Sequence, residues 1–242
     1  MNMDVTHYRA GLLQRLISTV YPPRCVLCGS PGFNDMDLCE ACHQGLPWIG
    51  FACLQCAIPL AEHGSDRLKC GQCLKKPPAF DRSLSLFSYE KEAVTLIRQL
   101  KFNEKLAYSR LLGNLLADAI DQNAIELPDC ILPVPLYWKR LKQRGFNQSI
   151  ELARPLANAF NIPLDIRSVK RVRDTHSQTE LDKQQRRKNI RAAFEIVEPL
   201  CAQHVVVVDD VVTTTSTVNE VARLLKRAGI RRVDVWSIAR AV

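Results

Sequence analysis

Eight of the ten cysteines fall in four Cys-x-x-Cys pairs: Cys25/Cys28, Cys39/Cys42, Cys53/Cys56 and Cys70/Cys73. A gap of two residues lets one tight turn present both sulfurs to a single ion, and two such turns complete a Cys₄ shell. Successive pairs are separated by ten, ten and thirteen residues. Consecutive pairing therefore gives two sites, Cys25, Cys28, Cys39 and Cys42, then Cys53, Cys56, Cys70 and Cys73. A cross-braced arrangement of the first pair with the third is the alternative. Four thiolates leave no position open for water or substrate, so the expected ions are two structural Zn²⁺. A disulfide framework does not fit, because segment 5–20 is too polar for a signal-peptide core and a reducing compartment favours metal. Four pairs in a row are also unlike a thioredoxin-type redox site. His43 and His63 lie near complete ligand sets and are expected on the surface.

A second chemistry-bearing segment is VVVVDDVVTTTST, residues 205–217. Val205–Val208 is a β-branched run with no polar interruption, as in a strand covered on both faces. Asp209 and Asp210 stand at its carboxyl end, where open α/β sheets bind ligands. Thr213, Thr214, Thr215, Ser216 and Thr217 then lead into a helix. Backbone N–H groups, the helix dipole and the hydroxyls would all favour a phosphate monoester there. The paired carboxylates could accept hydrogen bonds from ribose hydroxyls, so together the segment describes a 5-phosphoribose site. The plainer alternative is an Asp pair that caps the loop and threonines that cap the helix. No Gly-x-x-x-x-Gly-Lys or Gly-x-Gly-x-x-Gly accompanies the segment, which excludes the common NTP and dinucleotide sites.

The formal charge is +8 over 242 residues. Eight thiolates holding two Zn²⁺ would lower it to about +4 and would leave the first eighty residues acidic. The positive surplus is thus in the C-terminal part, in clusters that suit a phosphorylated ligand or a polyanion. Lys139, Arg140, Lys142 and Arg144 form one such cluster, and Arg167, Lys170, Arg171 and Arg173 a second. A third contains Lys183, Arg186, Arg187, Lys188 and Arg191. The fourth, Arg223 to Arg232, reads as an ordinary solvated helix face. Phe146, beside Arg144 and followed by Asn147 and Gln148, is either a ring for stacking an unpaired base or a buried anchor for the next helix. Arg98, Lys101 and Phe102 sit at a helix end, where they extend a basic groove or simply face solvent.

The elements that must position these residues follow from periodicity. Residues 5–20 form an amphipathic helix ended by Pro22 and Pro23, which packs on the body or docks weakly on a membrane or partner. Residues 24–76 have little apolar periodicity, so metal must supply much of their folding energy. Lys75–Pro78 is a linker. Strands are expected at 83–89, 130–134, 164–169, 193–197, 205–208 and 233–238, and helices at 90–101, 108–122, 147–160 and 216–228. This alternation predicts an α/β parallel sheet flanked by helices. The expected organisation is an N-terminal helix (1–22), a double zinc ribbon (23–78) and an α/β domain (79–242). Cys130 and Cys201 are expected to be packing residues.

The loop at 205–217 resembles that of type I phosphoribosyltransferases, and the wider chain resembles the ComF family of competence-associated proteins, of the ComFC and GntX type. The resemblance is carried by the ribbons after YPPRCVLCG (21–29), by LIRQLKF (96–102) and PVPLYWKRLKQRGFNQS (133–149), and by RVRDTHSQTELDKQQRRKNIRAAF (171–194) with the acidic-hydroxyl loop. It implies a type I phosphoribosyltransferase-like sheet behind a zinc module, and a part in handling single-stranded DNA during natural transformation or DNA use. It also implies that residues 171–188 correspond to a mobile catalytic loop, with Arg173, Thr175, Gln178, Arg187 and Asn189 as ligand contacts. Lys139 and Arg140 would meet pyrophosphate or a DNA phosphate. The alternative is an active transferase using phosphoribosyl pyrophosphate and Mg²⁺. One departure bears on it: Thr215 stands where the family usually has Gly, and a β-branched residue resists the φ > 0 conformation that glycine permits. The partners implied are single-stranded DNA, other DNA-processing proteins and phosphoribosyl pyrophosphate. The expected location is the cytoplasm, including the inner-membrane periphery.

Overall fold

The computed structural model describes residues 22–61, 69–102, 106–174 and 192–242. The amphipathic segment 5–20, His63, and Thr175, Gln178, Arg187 and Asn189 lie outside the described residues, as does the Phe102 side chain. Two single-turn helices, α1 (Glu40–Gln44) and α2 (Gly71–Lys75), belong to the cysteine-rich module. The larger part contains β1 (Arg82–Ser88), α3 (Lys91–Phe102), α4 (Leu106–Gln122), β2 (Cys130–Pro133), α5 (Trp138–Arg144) and α6 (Gln148–Phe160). It continues with β3 (Val169–Arg171), β4 (Phe194–Ile196), β5 (His204–Val212), α7 (Ser216–Arg227) and β6 (Arg232–Arg240).

The sheet has the order β1-β6-β5-β2, and every pair is parallel. Alternation along the central strands sends side chains to two cores. Val205 and Val207 join Val233 and Val235 against Val218, Val221 and Leu225 of α7. Val206 and Val208 join Trp236 and Ile238 against Leu96 and Ile97 of α3, Leu112 and Leu116 of α4, and Leu152 and Leu156 of α6. All four valines are fully buried, which is why β5 reads as an unbroken apolar run. Helices α4 and α6 come close at Gly113, where a Cβ would stand 2.8 Å from Pro155 Cγ and 2.9 Å from Leu152 O.

The expected strand 164–169 is divided. Leu164 forms a parallel bridge to Ile131 on the outer side of β2, whereas Val169–Arg171 pairs antiparallel with β4. The break is an Asx turn: Asp165 Oδ1 accepts from Arg167 N at 2.8 Å and from Ser168 N at 2.9 Å.

The cysteine module is joined to the sheet by backbone hydrogen bonds. Ile49 N donates to Leu86 O (2.8 Å) and Ser88 N to Pro47 O (2.9 Å), so residues 47–49 run antiparallel along the outer edge of β1. Trp48 packs edge-on against Phe87 with ring centroids 4.7 Å apart. The sheet edge that would otherwise be open is thereby covered. No helix among the described residues is long and apolar enough to cross a membrane.

Candidate phosphate pocket and cysteine tetrads

The cysteines gather by consecutive pairing, Cys25, Cys28, Cys39 and Cys42 in one tetrad and Cys53, Cys56, Cys70 and Cys73 in the other. In each tetrad all four sulfurs lie within 4.8 Å of one another. A tetrahedral zinc with Zn–S of about 2.3 Å requires sulfurs about 3.8 Å apart. Cys28 and Cys39 are 3.6 Å apart and Cys56 and Cys70 are 3.7 Å apart, so the donor sets fit that ion. Each first pair sits on a knuckle in which the residue after the second cysteine has positive φ: Gly29 at 79° and Ala57 at 54°. Each second pair opens a one-turn helix, and the leading sulfur accepts from the N–H of its partner, Cys42 to Cys39 at 3.5 Å and Cys73 to Cys70 at 3.4 Å. His43 stays outside the ligand set and is half-buried against Trp48, with centroids 4.9 Å apart. Burial pushes its ring pKa down.

Asp209 and Asp210 lie inside β5, which pairs with β6 as far as Val212 rather than ending at the expected residue 208; they sit beside the start of α6, and both are buried. Ser149 Oγ donates to Asp209 Oδ1 (3.2 Å), and Gln148 Nε2 lies 3.4 Å from Asp210 Oδ1. Asp210 also forms an ion pair with Lys101, at the end of α3. The two acids therefore titrate differently. Burial, reinforced by the neighbouring Asp210 charge, pushes Asp209 up to about 8. Burial opposes ionisation of Asp210 too, but the Lys101 ammonium holds that carboxyl below its usual range. Lys101 thus neutralises the acid pair; the reading of it as a groove or solvent residue missed this contact. Its only sequence signal was the resemblance carried by LIRQLKF.

Past the acids the chain turns into α7. Thr215 is the cap residue and holds φ 59°, ψ −3°, the left-handed conformation. The β-branched side chain has not prevented the backbone shape expected of glycine; its Oγ1 donates to Thr214 O at 2.6 Å. Thr214 and Ser216 hydroxyls are 2.9 Å apart. No side chain caps α7, so its first-turn N–H groups remain available to an anion. Thr213 is exposed and Thr214 to Thr217 are half-buried, so the loop's hydroxyls are accessible to solvent.

Cations surround the acids. Arg144 Nη1 donates to Gln148 Oε1 (2.6 Å), which extends the chain Asp210, Gln148, Arg144 outward. Arg140 Nε lies 3.6 Å from Asp174. The Arg171 guanidinium is 5.5 Å from the Phe194 ring centroid. Burial and the Arg140 charge push both Arg144 and Arg171 below the usual guanidinium range, with Asp210 and Asp209 respectively opposing the shift. These groups are cations crowding one another within reach of the acid pair. Lys139 is exposed, and Arg173 is exposed at the edge of the described residues.

Three residues at the entry to α6 are held by the fold. Phe146 is half-buried and packs on the core, so its ring is an anchor for α6. Asn147 is buried, caps α6 through Ser149 N (3.0 Å) and donates to Val134 O (3.1 Å). Gln148 is likewise committed to the Arg144 and Asp210 side chains. Cys201 is exposed, unlike the buried Cys130. Arg240 was not anticipated at all. It is buried at the end of β6; Nε donates to Cys56 O (2.9 Å), and Nη1 donates to Val212 O (2.9 Å) and also reaches Thr213 O and Ala241 O. A single guanidinium therefore ties the second cysteine knuckle to the base of the hydroxyl loop.

Comparison with known proteins gives the same two parts in the same order. The Double zinc ribbon domain matches residues 16–74 and the Phosphoribosyl transferase domain matches residues 147–241. The DNA utilization protein YhgH of Salmonella typhimurium is 38% identical over 226 residues, which cover 91% of this chain and 98% of that protein. Competence protein F of Haemophilus influenzae is 34% identical over 226 residues, covering 90% and 97%. A solved purine phosphoribosyltransferase from Pyrococcus horikoshii matches 56% of the chain and 86% of its own, with a TM-score of 0.32 and 18% identity. Identity of this order along almost the whole of both sequences, with the ribbon and transferase parts aligned, shows that the chain belongs to the ComF family.

Proposed function

We propose that this chain binds single-stranded DNA during DNA uptake or use, on a phosphoribosyltransferase scaffold braced by two structural zinc ions. The observation that carries the reading is α5, whose seven residues WKRLKQR hold four cations and no acid, and whose last residue, Arg144, reaches the acid pair through Gln148. Arg140 and Arg144 lean toward the pocket, while Lys139 and Lys142 face outward. That leads a phosphate backbone from the surface toward the hydroxyl loop, where Thr213 to Thr217 would receive a terminal or backbone phosphate. Relatives named for DNA utilization and for competence support the same role. The cytoplasm, where incoming single strands are processed, is its place of action.

Fluorescence anisotropy with a labelled oligothymidylate at several salt concentrations tests this. Three or four phosphate contacts give a log–log slope of about −2 to −3 for a single strand. A flat salt response, with no preference over an uncharged peptide nucleic acid of the same length, overturns the proposal.

A second reading, an active transferase for phosphoribosyl pyrophosphate, is favoured by one observation, the left-handed backbone retained at Thr215. The loop shape expected for a 5-phosphate is kept, and Asp209 and Asp210 would meet ribose hydroxyls by exchanging their Ser149, Gln148 and Lys101 partners. Calorimetry with phosphoribosyl pyrophosphate, with and without Mg²⁺, should then show heat that is lost when Asp209→Asn and Asp210→Asn are combined. No heat with the parent chain ends this reading.

A further inference from the structure

We infer that Trp138 is a stacking platform for an unpaired base, at the outer end of the cationic path along α5. The inference rests on the single-strand reading above and assigns its base contact, which Phe146 is too committed to the core to make. Trp138 is 58% exposed, an unusual state for the largest apolar side chain. Leu141, one turn further on, is 41% exposed and extends the same apolar strip. Tyr137 flanks the indole with a ring centroid 5.8 Å away at an interplanar angle of 51°, which steadies one edge of the ring. Lys139 Nζ lies 5.7 Å from the indole centroid.

An exposed aromatic ring beside cations, on a helix without acids, is the equipment of a single-strand binder: each base offers a π face and the linking phosphates meet the ammonium groups. A duplex fits less well, because its bases are stacked internally and leave only the backbone to contact. The strip also adjoins the Arg140 and Arg144 side of the phosphate pocket. One strand could therefore place a base on Trp138 and a phosphate further in.

The test uses the full zinc-loaded chain with an oligothymidylate and an abasic oligonucleotide of equal length and charge. Trp138 is the exposed member of three tryptophans, since Trp236 is buried and Trp48 half-buried, so its emission reports contact directly. Oligothymidylate should quench the emission and bind about 5- to 150-fold tighter than the abasic strand, the range expected of one stacked base. Trp138→Ala should lose that preference but keep the salt-dependent binding shared by both strands; Trp138→Phe should keep most of it. Trp138→Ala with an unchanged preference overturns the inference and leaves the single-strand reading standing. Absence of salt-dependent binding to either oligonucleotide overturns both. A blue shift of the emission on anionic vesicles, with no response to oligothymidylate, would assign the strip to a lipid surface and likewise overturn the inference.

Discussion

Replacing Arg240 should loosen the two halves of the molecule together. Its guanidinium donates to Cys56 O and Val212 O, and reaches Thr213 O and Ala241 O. In Arg240→Met the stem still fills its space, but the carbonyls lose their donor. Val212 O keeps the Ala241 N–H at 3.0 Å, so the main losses are at Cys56 and Thr213. A buried carbonyl left without a donor costs about 1–3 kcal/mol, and this applies at Cys56 O, whereas the exposed Thr213 can turn its carbonyl to water. Relief of the buried charge offsets part of this, so the lower half of the range is expected. For a chain of this size each kcal/mol corresponds to about 2–4 °C in melting temperature. Thermal unfolding should therefore move down by about 2–8 °C, with Arg240→Lys intermediate because it keeps the charge without the planar fork. Zinc release into a chromophoric chelator should become biphasic. The tetrad containing Cys56 should lose its ion faster, and the Cys25 tetrad should keep the parent rate. A variant that melts with the parent and releases zinc at the parent rate would refute the clamp.

Thr215→Gly should be as stable as the parent or more so by up to about 1.5 kcal/mol. A left-handed non-glycine residue costs about 1–2 kcal/mol, and glycine's freer unfolded chain gives back about 0.5–1 kcal/mol. Urea midpoints measure this, and a loss greater than 1 kcal/mol contradicts the strain observed at φ 59°. Asp209 binds a proton in the folded state up to about 8, far above the ordinary value of 3.8. The folded state thus holds more protons than the unfolded state across that window, and stability should fall as pH rises from about 4 to about 8. Asp209→Asn should flatten the decline when urea midpoints are compared at pH 5 and pH 8; identical declines would exclude Asp209 as its source. Elemental analysis should find two zinc ions per chain. Chelation should unfold residues 47–49 from the β1 edge, read as faster amide exchange at Ile49 and Ser88, whose N–H groups make the two hydrogen bonds across it, whereas unchanged exchange would show that the tetrads do not support that edge.

Most of the fold was legible because its elements are locally consistent. The β-branched run of β5, the helical spacing of α4 and α6 and the cysteine intervals each point to one structure, and periodicity is a local property. The division at Asp165 was less visible because an Asx turn leaves only one residue type as a trace. Site residues divided along the same line. Asp209, Asp210 and Thr213 to Thr217 are contiguous, so their shared position along β5 and the turn into α7 could be read from sequence alone. Lys101, Gln148 and Arg240 act on that segment from α3, α6 and β6, and nothing local tells a buried, committed side chain from an exposed one. The exchange between Phe146 and Trp138 has this cause. Both are aromatic neighbours of basic residues, but Phe146 faces the core from the α6 entry while Trp138 begins a helix with no buried residue.

The two chemistries in one chain are connected through the backbone rather than through a shared active centre. The closed tetrads present no open coordination position to the pocket. The ribbon instead supplies the antiparallel neighbour of β1 at residues 47–49 and the Cys56 carbonyl that Arg240 grips. The same guanidinium grips Thr213 O at the start of the hydroxyl loop. A loop that holds Thr215 in a conformation disfavoured for threonine must be over-determined by its surroundings. The descending chain through Val212 and Thr213 is fixed from one side by β6 and from the other, through Arg240, by the zinc module. A phosphate that ordered the loop and so favoured the intact knuckle would link its own affinity to zinc retention, each strengthening the other by the same factor.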